Sequence, residues 1–241
     1  MHIPDGFLDP KFSAGMGLAA AGVLGYCVAK VRAMVMVPVV QTALATASDQ
    51  VKSIAGASKR ALSSFGERLF LKMGLVGSLI FAAQMFNFPI SQGTSGHLLG
   101  GILAAIMVGP FAGTIVIAVI LTIQAIFFAD GGIIALGANI FNMGIIGTLG
   151  CYYIYYAIKS LIKNKQGIYL GVFIAAFFSV LLAAIATAFE LALSKTIPLN
   201  LVLPAMAKVH VIIGVAEGLI TVGLLSLLIK INPLMLESEN E

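Results

Sequence analysis

The sequence predicts an all-α polytopic membrane protein with about seven transmembrane helices and an extracytoplasmic N-terminus. Of the 241 residues, 60% are hydrophobic and only 10% are charged, and the mean hydropathy is +1.05. Because soluble domains carry about 25% charged residues, this composition indicates a chain that lies mostly in lipid. The net charge of +4 is typical of basic residues that flank membrane spans, and it does not indicate nucleic-acid binding.

Seven apolar stretches approach the roughly 20 residues that a spanning helix needs. They cover residues 12–28, 69–88, 98–108, 111–128, 138–158, 168–193 and 204–229. The third stretch is short and ends at Gly109 and Pro110, which predicts a tilted, partly re-entrant or tightly turned segment. We treat residues 1–241 as one membrane domain with an N-terminal segment at 1–11. Residues 30–68 form a predicted cytoplasmic insert, amphipathic and helical, with flexible connections.

The distribution of lysine and arginine predicts the orientation, because cytoplasmic loops are enriched in both. With the N-terminus outside, the inner side holds Lys30, Arg32, Lys52, Lys59, Arg60, Arg68, Lys72, Lys159, Lys163, Lys165 and Lys230. The outer side holds Lys11, Lys195 and Lys208. The alternative is an eighth span at residues 34–47, which would move the N-terminus inside. That stretch is short for a bilayer and contains Pro38.

Small residues and cysteines have structural interpretations. Small residues recur at four-residue spacing on the first three spans, at Gly17, Ala21, Gly25, Gly74, Ser78, Ala82, Gly101, Ala105 and Gly109. Such stripes serve close packing within a bundle or contact with a partner membrane subunit. Cys27 and Cys151 lie in apolar stretches without a second ligand nearby, so we interpret them as small buried hydrophobes.

The chemistry that the sequence offers centres on three histidines: His2, His97 and His210. An α-amine, the backbone nitrogen of residue 2 and Nδ1 of a histidine at residue 2 can chelate one ion in a plane. His97 is the natural fourth donor, because it is the only histidine in an outer loop. Square-planar nitrogen ligation favours Ni²⁺ or Cu²⁺ over Co²⁺. The site requires that Met1 is retained. The alternative is that His2 belongs to a disordered terminus by accident.

Other polar residues could orient these ligands. The glycine-rich loop before His97 contains Thr94 and Ser95, whose hydroxyls could fix the imidazole, although such loops also simply connect spans. Asn139 begins the fifth span and serves either packing or ligand orientation. His210 and Glu217 are seven residues apart and share a helix face. An ionisable pair inside a span indicates either function or a hydrogen bond that joins helices.

Four segments together resemble the cobalt/nickel substrate-binding (S) subunits of energy-coupling-factor (ECF) importers, the CbiM/NikM family. The segments are MHIPDGFL, NFPISQGTSGHLLGGILAAIMVGPFAG, QAIFFADGGIIALGANIFNMGIIG and LVLPAMAKVHVIIGVAEGLIT. The resemblance extends over nearly the whole chain outside residues 30–68, and it implies an S-component-like bundle of seven spans. It also implies a metal site made of the Met1 amine, the backbone nitrogen and imidazole of His2, and the His97 imidazole. The loop form GTSGH resembles the nickel branch, and Co²⁺ remains the alternative.

The family resemblance also implies partners and a division of labour. The subunit would capture its divalent ion from outside with high affinity, in the cytoplasmic membrane of a prokaryote. A transmembrane coupling (T) subunit and two ABC ATPase subunits would drive release, and a small accessory membrane subunit is compatible with this scheme. The sequence contains no GxxxxGK[ST], HExxH or GxSxG motif, so we predict no enzymatic activity and no cofactor. The alternative is a stand-alone secondary carrier or channel for divalent metal that uses His210 and Glu217.

Overall fold

The computed structural model describes residues 2–38, 60–85, 88–90 and 94–231, and it is almost entirely helical. Its helices are α1 (Pro10–Val35), α2 (Ser64–Gln84), α3 (Gly101–Val108), α4 (Pro110–Phe127), α5 (Leu136–Asn139), α6 (Cys151–Leu161), α7 (Lys165–Leu193) and α8 (Leu199–Ile231). A π-helical segment, Ile140–Gly150, joins α5 to α6 in one continuous helix. Counted in this way, the described residues form seven helices, which confirms the predicted fold class.

Each predicted span corresponds to one of these helices. By length and composition α1, α4, α7 and α8 could each cross a membrane. The third helix begins later than predicted, at Gly101, and the preceding residues form a loop. Gly100 adopts a positive φ of 72° and ends that loop in a left-handed conformation. A side chain there would overlap Ile80, so the turn requires glycine.

The short helix α3 lies in the middle of the protein. All of its residues except Met107 are buried, and α2, α4, α7 and the π-helical segment pack around it. Ala105 is fully buried, and α4 approaches its backbone closely at Gly113. The small residues Gly101 and Ala105 therefore serve packing within the bundle, which is the first of their two predicted roles.

The bundle has two chemically different ends. We call the end that carries the loops at residues 2–9, 97–100 and 128–135 the histidine end. At the opposite end, which we call the basic end, α1, α6 and α8 finish and α2 and α7 begin. The basic residues of those helix ends are Lys30, Arg32, Arg68, Lys72, Lys159, Lys163, Lys165 and Lys230. The histidines and most of the described basic residues thus lie at opposite ends.

Two short antiparallel strand pairs complete the described structure. At the basic end β1 (Met36–Pro38) pairs with β2 (Arg60–Leu62), and Ser63 N donates to Val35 O at 2.8 Å. The second pair joins β3 (Phe88–Ile90) to β4 (Thr94–Gly96). The predicted cytoplasmic insert at residues 30–68 and its alternative, an eighth span at residues 34–47, both include residues between β1 and β2. Residues 39–59, where both alternatives mainly lie, are outside the described residues.

The close crossing of α3 and α4 yields a stability prediction. A Cβ at Gly113 would lie 2.8 Å from the backbone nitrogen of Ala105, which cannot move aside as a flexible side chain could. We expect Gly113→Ala to destabilise the protein by about 1–3 kcal/mol through overpacking, seen as a lower Tm in detergent. Gly25→Ala is the control, because a Cβ there meets nothing within 4 Å. Equal Tm values for the two variants would contradict this account of the crossing.

Candidate metal site

The N-terminal segment folds back against the start of the fifth span. Asn139 accepts a hydrogen bond from Ile3 N at 2.8 Å and donates one to Ile3 O at 3.1 Å. Gly132 N also donates to Ile3 O, at 2.8 Å. Ile3 is only 1% exposed, so these bonds supply partners that water cannot provide. Asn139 was predicted to serve packing or orientation, and it holds the residue that follows His2.

Asp5 makes the second attachment of this segment. Its carboxylate accepts hydrogen bonds from the backbone nitrogens of Ile133, Ile134 and Ala135, at 3.1, 2.8 and 3.2 Å respectively. These nitrogens lie just before α5, where unpaired N–H groups favour a negative charge. A side chain at Gly132 would overlap Asp5. Sequence reasoning assigned no role to Asp5, and the available signal was an acid close to a histidine in an otherwise apolar chain.

His2 is buried with one ring nitrogen engaged. Its Nδ1 lies 3.0 Å from the carbonyl oxygen of Asp130 and 3.8 Å from that residue's carboxylate. Since a carbonyl oxygen can only accept, Nδ1 carries the proton and Nε2 has the free lone pair. The Nε2 atom is buried and has no hydrogen-bond partner among the residues that the structure describes. The side chain therefore presents an unshared ligand atom inside the protein.

His97 repeats this arrangement beside His2. Its side chain is 1% exposed, and its Nδ1 lies 2.7 Å from Leu98 O. The Nε2 atom is again buried, and no described residue forms a hydrogen bond with it. The two imidazole centroids are 4.6 Å apart, and the ring planes are inclined by 59°. The structure thus brings together two neutral imidazoles whose free lone pairs are both buried.

Burial sets the charge state of this pair. It lowers the pKa of His97 to about 3. The pKa of His2 is lowered well below its usual range, first by burial and then by the neighbouring His97. Burial has the opposite effect on Asp130, whose pKa it raises, because in each case it disfavours the charged form. Both imidazoles are therefore neutral near pH 7, which is the form that binds a metal ion.

Buried side chains from three helices hold the loop that carries His97. Glu217 of α8 accepts hydrogen bonds from Leu99 N at 2.9 Å and Gly100 N at 2.7 Å. Gln84 of α2 donates to Leu99 O at 2.6 Å. Gln124 of α4 in turn donates to the side-chain oxygen of Gln84 at 2.9 Å. Glu217 was predicted from its position alone, whereas the two glutamines were not predicted.

His210 is placed differently from the other histidines. It is fully buried, and its Nδ1 lies 2.7 Å from Met206 O within its own helix. Its Nε2 is buried without a partner. Glu217 bonds to the His97 loop instead of to His210. The two residues therefore share a helix face, as predicted, while their hydrogen bonds run to different partners.

Some predicted site residues cannot be placed. Met1 lies outside the described residues, and so do the side chains of Thr94 and Ser95, whose backbone belongs to β4. Within the described ranges, no group of three His, Cys, Asp or Glu residues could hold a metal ion. The described side chains therefore supply the imidazoles of His2 and His97 at this place, and further donors would have to come from other groups. Cys27 and Cys151 are free and buried, as predicted.

Comparison with known proteins places this helical membrane bundle in a class of transport proteins, and it is not an enzyme. Residues 40–235 match the family model described as "Cobalt uptake substrate-specific transmembrane region". The chain therefore belongs to the CbiM/NikM family of cobalt/nickel uptake transmembrane S components.

Individual relatives agree with this family. The chain is 36% identical over 241 residues to a "Putative fused nickel transport protein NikMN" of Archaeoglobus fulgidus, covering 99% of this chain and 69% of that protein. It is also 36% identical over 171 residues to a "Cobalt transport protein CbiM" of Thermosipho melanesiensis, covering 68% and 71%. A solved structure described as "Crystal Structure of an Truncated Transition metal Transporter" aligns with a TM-score of 0.76 at 32% identity, covering 95% and 99%.

The attachment of the N-terminal segment can be tested by hydrogen exchange. Asp5→Ala removes the acceptor for three backbone N–H groups, and hydrogen bonds to a charged group contribute about 1.5–3 kcal/mol each. We expect amides of residues 2–8 to exchange at least about tenfold faster, since about 1.4 kcal/mol corresponds to a factor of ten. Asp9→Ala is the control, because Asp9 only caps α1. Unchanged exchange in Asp5→Ala would show that other contacts hold the segment.

The lowered histidine pKa values predict acid sensitivity of the metal-free protein. The unfolded chain takes up a proton near pH 6.5, whereas folded His97 resists protonation until about pH 3. The contribution of this group to the free energy of unfolding is therefore fully present above pH 6.5 and is lost as the pH decreases toward 3. The loss is about 2 kcal/mol between pH 7 and 5 for one such group. We expect the Tm in detergent to fall over this interval, and to fall less in His97→Gln. Equal acid shifts in both proteins would contradict the assignment.

Proposed function

We propose that this protein captures Ni²⁺ with high affinity as the substrate-specificity subunit of an ECF-type importer, with Co²⁺ as the alternative ion. The proposed ligands are the Met1 α-amine, the backbone nitrogen and imidazole of His2, and the imidazole of His97. The observation that carries the proposal is the pair of buried, neutral imidazoles with centroids 4.6 Å apart. Among the described residues His97 Nε2 has no hydrogen-bond partner. A buried nitrogen without a partner is costly in a stable fold, and an ion bound to His97 would satisfy it.

The metal-free geometry adds one requirement to this proposal. A planar chelate that starts at the α-amine uses Nδ1 of His2, yet Nδ1 is 3.0 Å from Asp130 O. One ring nitrogen cannot donate to a carbonyl and bind a metal ion simultaneously. On this ligand set, binding would release His2 from Asp130 and transfer its Nδ1 to the ion. The carbonyl oxygen of Asp130 and the ion are then alternative partners of His2 Nδ1.

The preference for nickel follows from the geometry of the proposed ligands. Four nitrogens in a plane suit Ni²⁺, which accepts square-planar coordination, whereas Co²⁺ binds such donors more weakly. The relatives are named for both ions, so family membership alone does not decide between them. A square-planar Ni²⁺ site should be yellow and diamagnetic.

The proposal also includes the orientation of the protein in the membrane and its partner subunits. The histidine end is proposed to face outward in the cytoplasmic membrane of a prokaryote, with the basic end inside, in keeping with the positive-inside bias. Capture would then occur outside, and a T subunit with two ABC ATPases would drive release at the basic end. A stand-alone carrier is less well supported, because Glu217 is bonded to two backbone N–H groups and is not free to carry protons or ions.

Ligand substitutions test the proposed site. His97→Ala, or one alanine inserted between Met1 and His2, should lower Ni²⁺ affinity by more than the roughly 10–100-fold that outer contacts contribute. Titration calorimetry on purified protein in detergent measures this, with Co²⁺ titrated in parallel. Lys195→Asn is the control, because Lys195 is exposed at the same end and already has a positive φ of 58°.

Two results would contradict the proposal. Wild-type affinity in both ligand variants would exclude this ligand set. Metal content after growth in equal nickel and cobalt, read with the absorption spectrum, tests the choice of ion. A protein that holds cobalt and shows no square-planar nickel spectrum would reverse the preference.

A further inference from the structure

Glu217 is connected to the His97 imidazole through a single peptide group. The peptide between Leu98 and Leu99 presents its carbonyl oxygen to His97 Nδ1, at 2.7 Å. The same peptide group donates its N–H, on Leu99, to Glu217 Oε2 at 2.9 Å. The hydrogen bonds therefore run from the imidazole through one peptide plane to a buried carboxylate.

The next peptide group is held from both sides. Its carbonyl, on Leu99, accepts from Gln84 at 2.6 Å, and its N–H, on Gly100, donates to Glu217 Oε1 at 2.7 Å. Gln124 in turn holds Gln84. Two successive peptide planes are thus attached to side chains of two helices, α2 and α8, and α4 supports one of those side chains. Neither plane can rotate without breaking a buried hydrogen bond, which costs about 1–3 kcal/mol per unpaired group.

On this basis we propose that Glu217 is a positioning residue for His97, acting through the Leu98–Leu99 peptide group. The inference rests on the proposed function, in which His97 is a metal ligand. In metal sites a ligating histidine usually donates its other ring nitrogen to a carboxylate or a carbonyl, which fixes its tautomer and orientation. Here the carbonyl does so directly, and the carboxylate holds that carbonyl in place.

Charge adds to the effect of orientation. A carboxylate that accepts from a peptide N–H polarises the peptide, so that its carbonyl becomes a better acceptor, because chained hydrogen bonds strengthen one another in an apolar interior. A better acceptor at Leu98 O holds the Nδ1–H tautomer of His97 and leaves Nε2 to bind the ion. Gln84 positions the same loop without this electrostatic contribution.

The decisive variant is Glu217→Gln, which keeps the size of the side chain. The amide offers one acceptor oxygen, and its NH₂ group would face the second backbone N–H. We expect Ni²⁺ affinity to fall about 10–100-fold, the usual effect of losing an outer contact to a ligand. Gln84→Leu removes the donor to the Leu99 carbonyl and the acceptor of Gln124 while it leaves Glu217 in place, and we expect a fall of about tenfold. This second variant also serves if Glu217→Gln fails to fold.

Glu190→Gln is the matched control. Glu190 of α7 is also a buried carboxylate, and it accepts from Asn142 Nδ2 at 2.6 Å. None of its described hydrogen bonds goes to the His97 loop. We expect Glu190→Gln to lower the Tm while leaving Ni²⁺ affinity unchanged. Equal losses of affinity in Glu190→Gln and Glu217→Gln would mean that general destabilisation explains both, and this would overturn the positioning role.

Two measurements separate positioning from a merely structural role. Nitrogen-15 NMR of labelled histidine should show the Nδ1–H tautomer of His97 in the metal-free wild type and a shift toward Nε2–H in Glu217→Gln. In a double-mutant cycle, His97→Ala with Glu217→Gln should bind Ni²⁺ no more weakly than His97→Ala alone, because residues that act as a unit are not additive.

The outcomes distinguish this inference from the proposed function. If His97→Ala weakens binding while Glu217→Gln and Gln84→Leu do not, the positioning role is wrong and the ligand set stands. An equal effect of Glu217→Gln in the wild-type and His97→Ala backgrounds would also overturn it. Wild-type affinity in His97→Ala would overturn both, since no ligand would be left for Glu217 to position.

Discussion

Backbone N–H and C=O groups of a loop that lies inside an apolar bundle need hydrogen-bond partners that water cannot supply. At the histidine end, side chains meet this requirement. The loop after His97 is paired by Glu217 and Gln84, and the N-terminal segment is paired by Asn139 and Asp5. Glu217, Gln84 and Asn139 are helix side chains that replace missing backbone partners, whereas Asp5 of the N-terminal segment accepts from the backbone just before α5. The same hydrogen bonds that make these loops possible also bring His2 and His97 together.

The apolar surroundings have a second consequence for the imidazoles. Because burial disfavours the charged form, both remain neutral, and each uses one nitrogen on a carbonyl. The other nitrogen keeps its lone pair. The chain belongs to a family of cobalt/nickel uptake components, and in the proposed function the free lone pair of His97 would bind the ion.

Much of the fold could be predicted because hydropathy acts over whole helices. Seven stretches and seven helices correspond, although their ends differ by several residues. The third helix begins later than predicted, since the local turn at Gly100 is invisible to a hydropathy average. The pair of His2 and His97 was proposed from chelate chemistry and topology. The contacts of Asp5, Gln84 and Gln124 were not, because hydrogen bonds between residues far apart in sequence leave no local pattern.

By itself the sequence determined the class of fold, the number of helices and the resemblance to metal-uptake subunits, since apolar length, charge bias and short motifs are properties of neighbouring residues. Only the tertiary structure decided which nitrogen of each imidazole is free and which partner Glu217 takes. It joined Glu217 to the His97 loop where the spacing suggested a pair with His210. These hydrogen bonds depend on how the helices cross. A crossing brings together residues that are far apart in the chain, so their spacing in the sequence does not predict the contact.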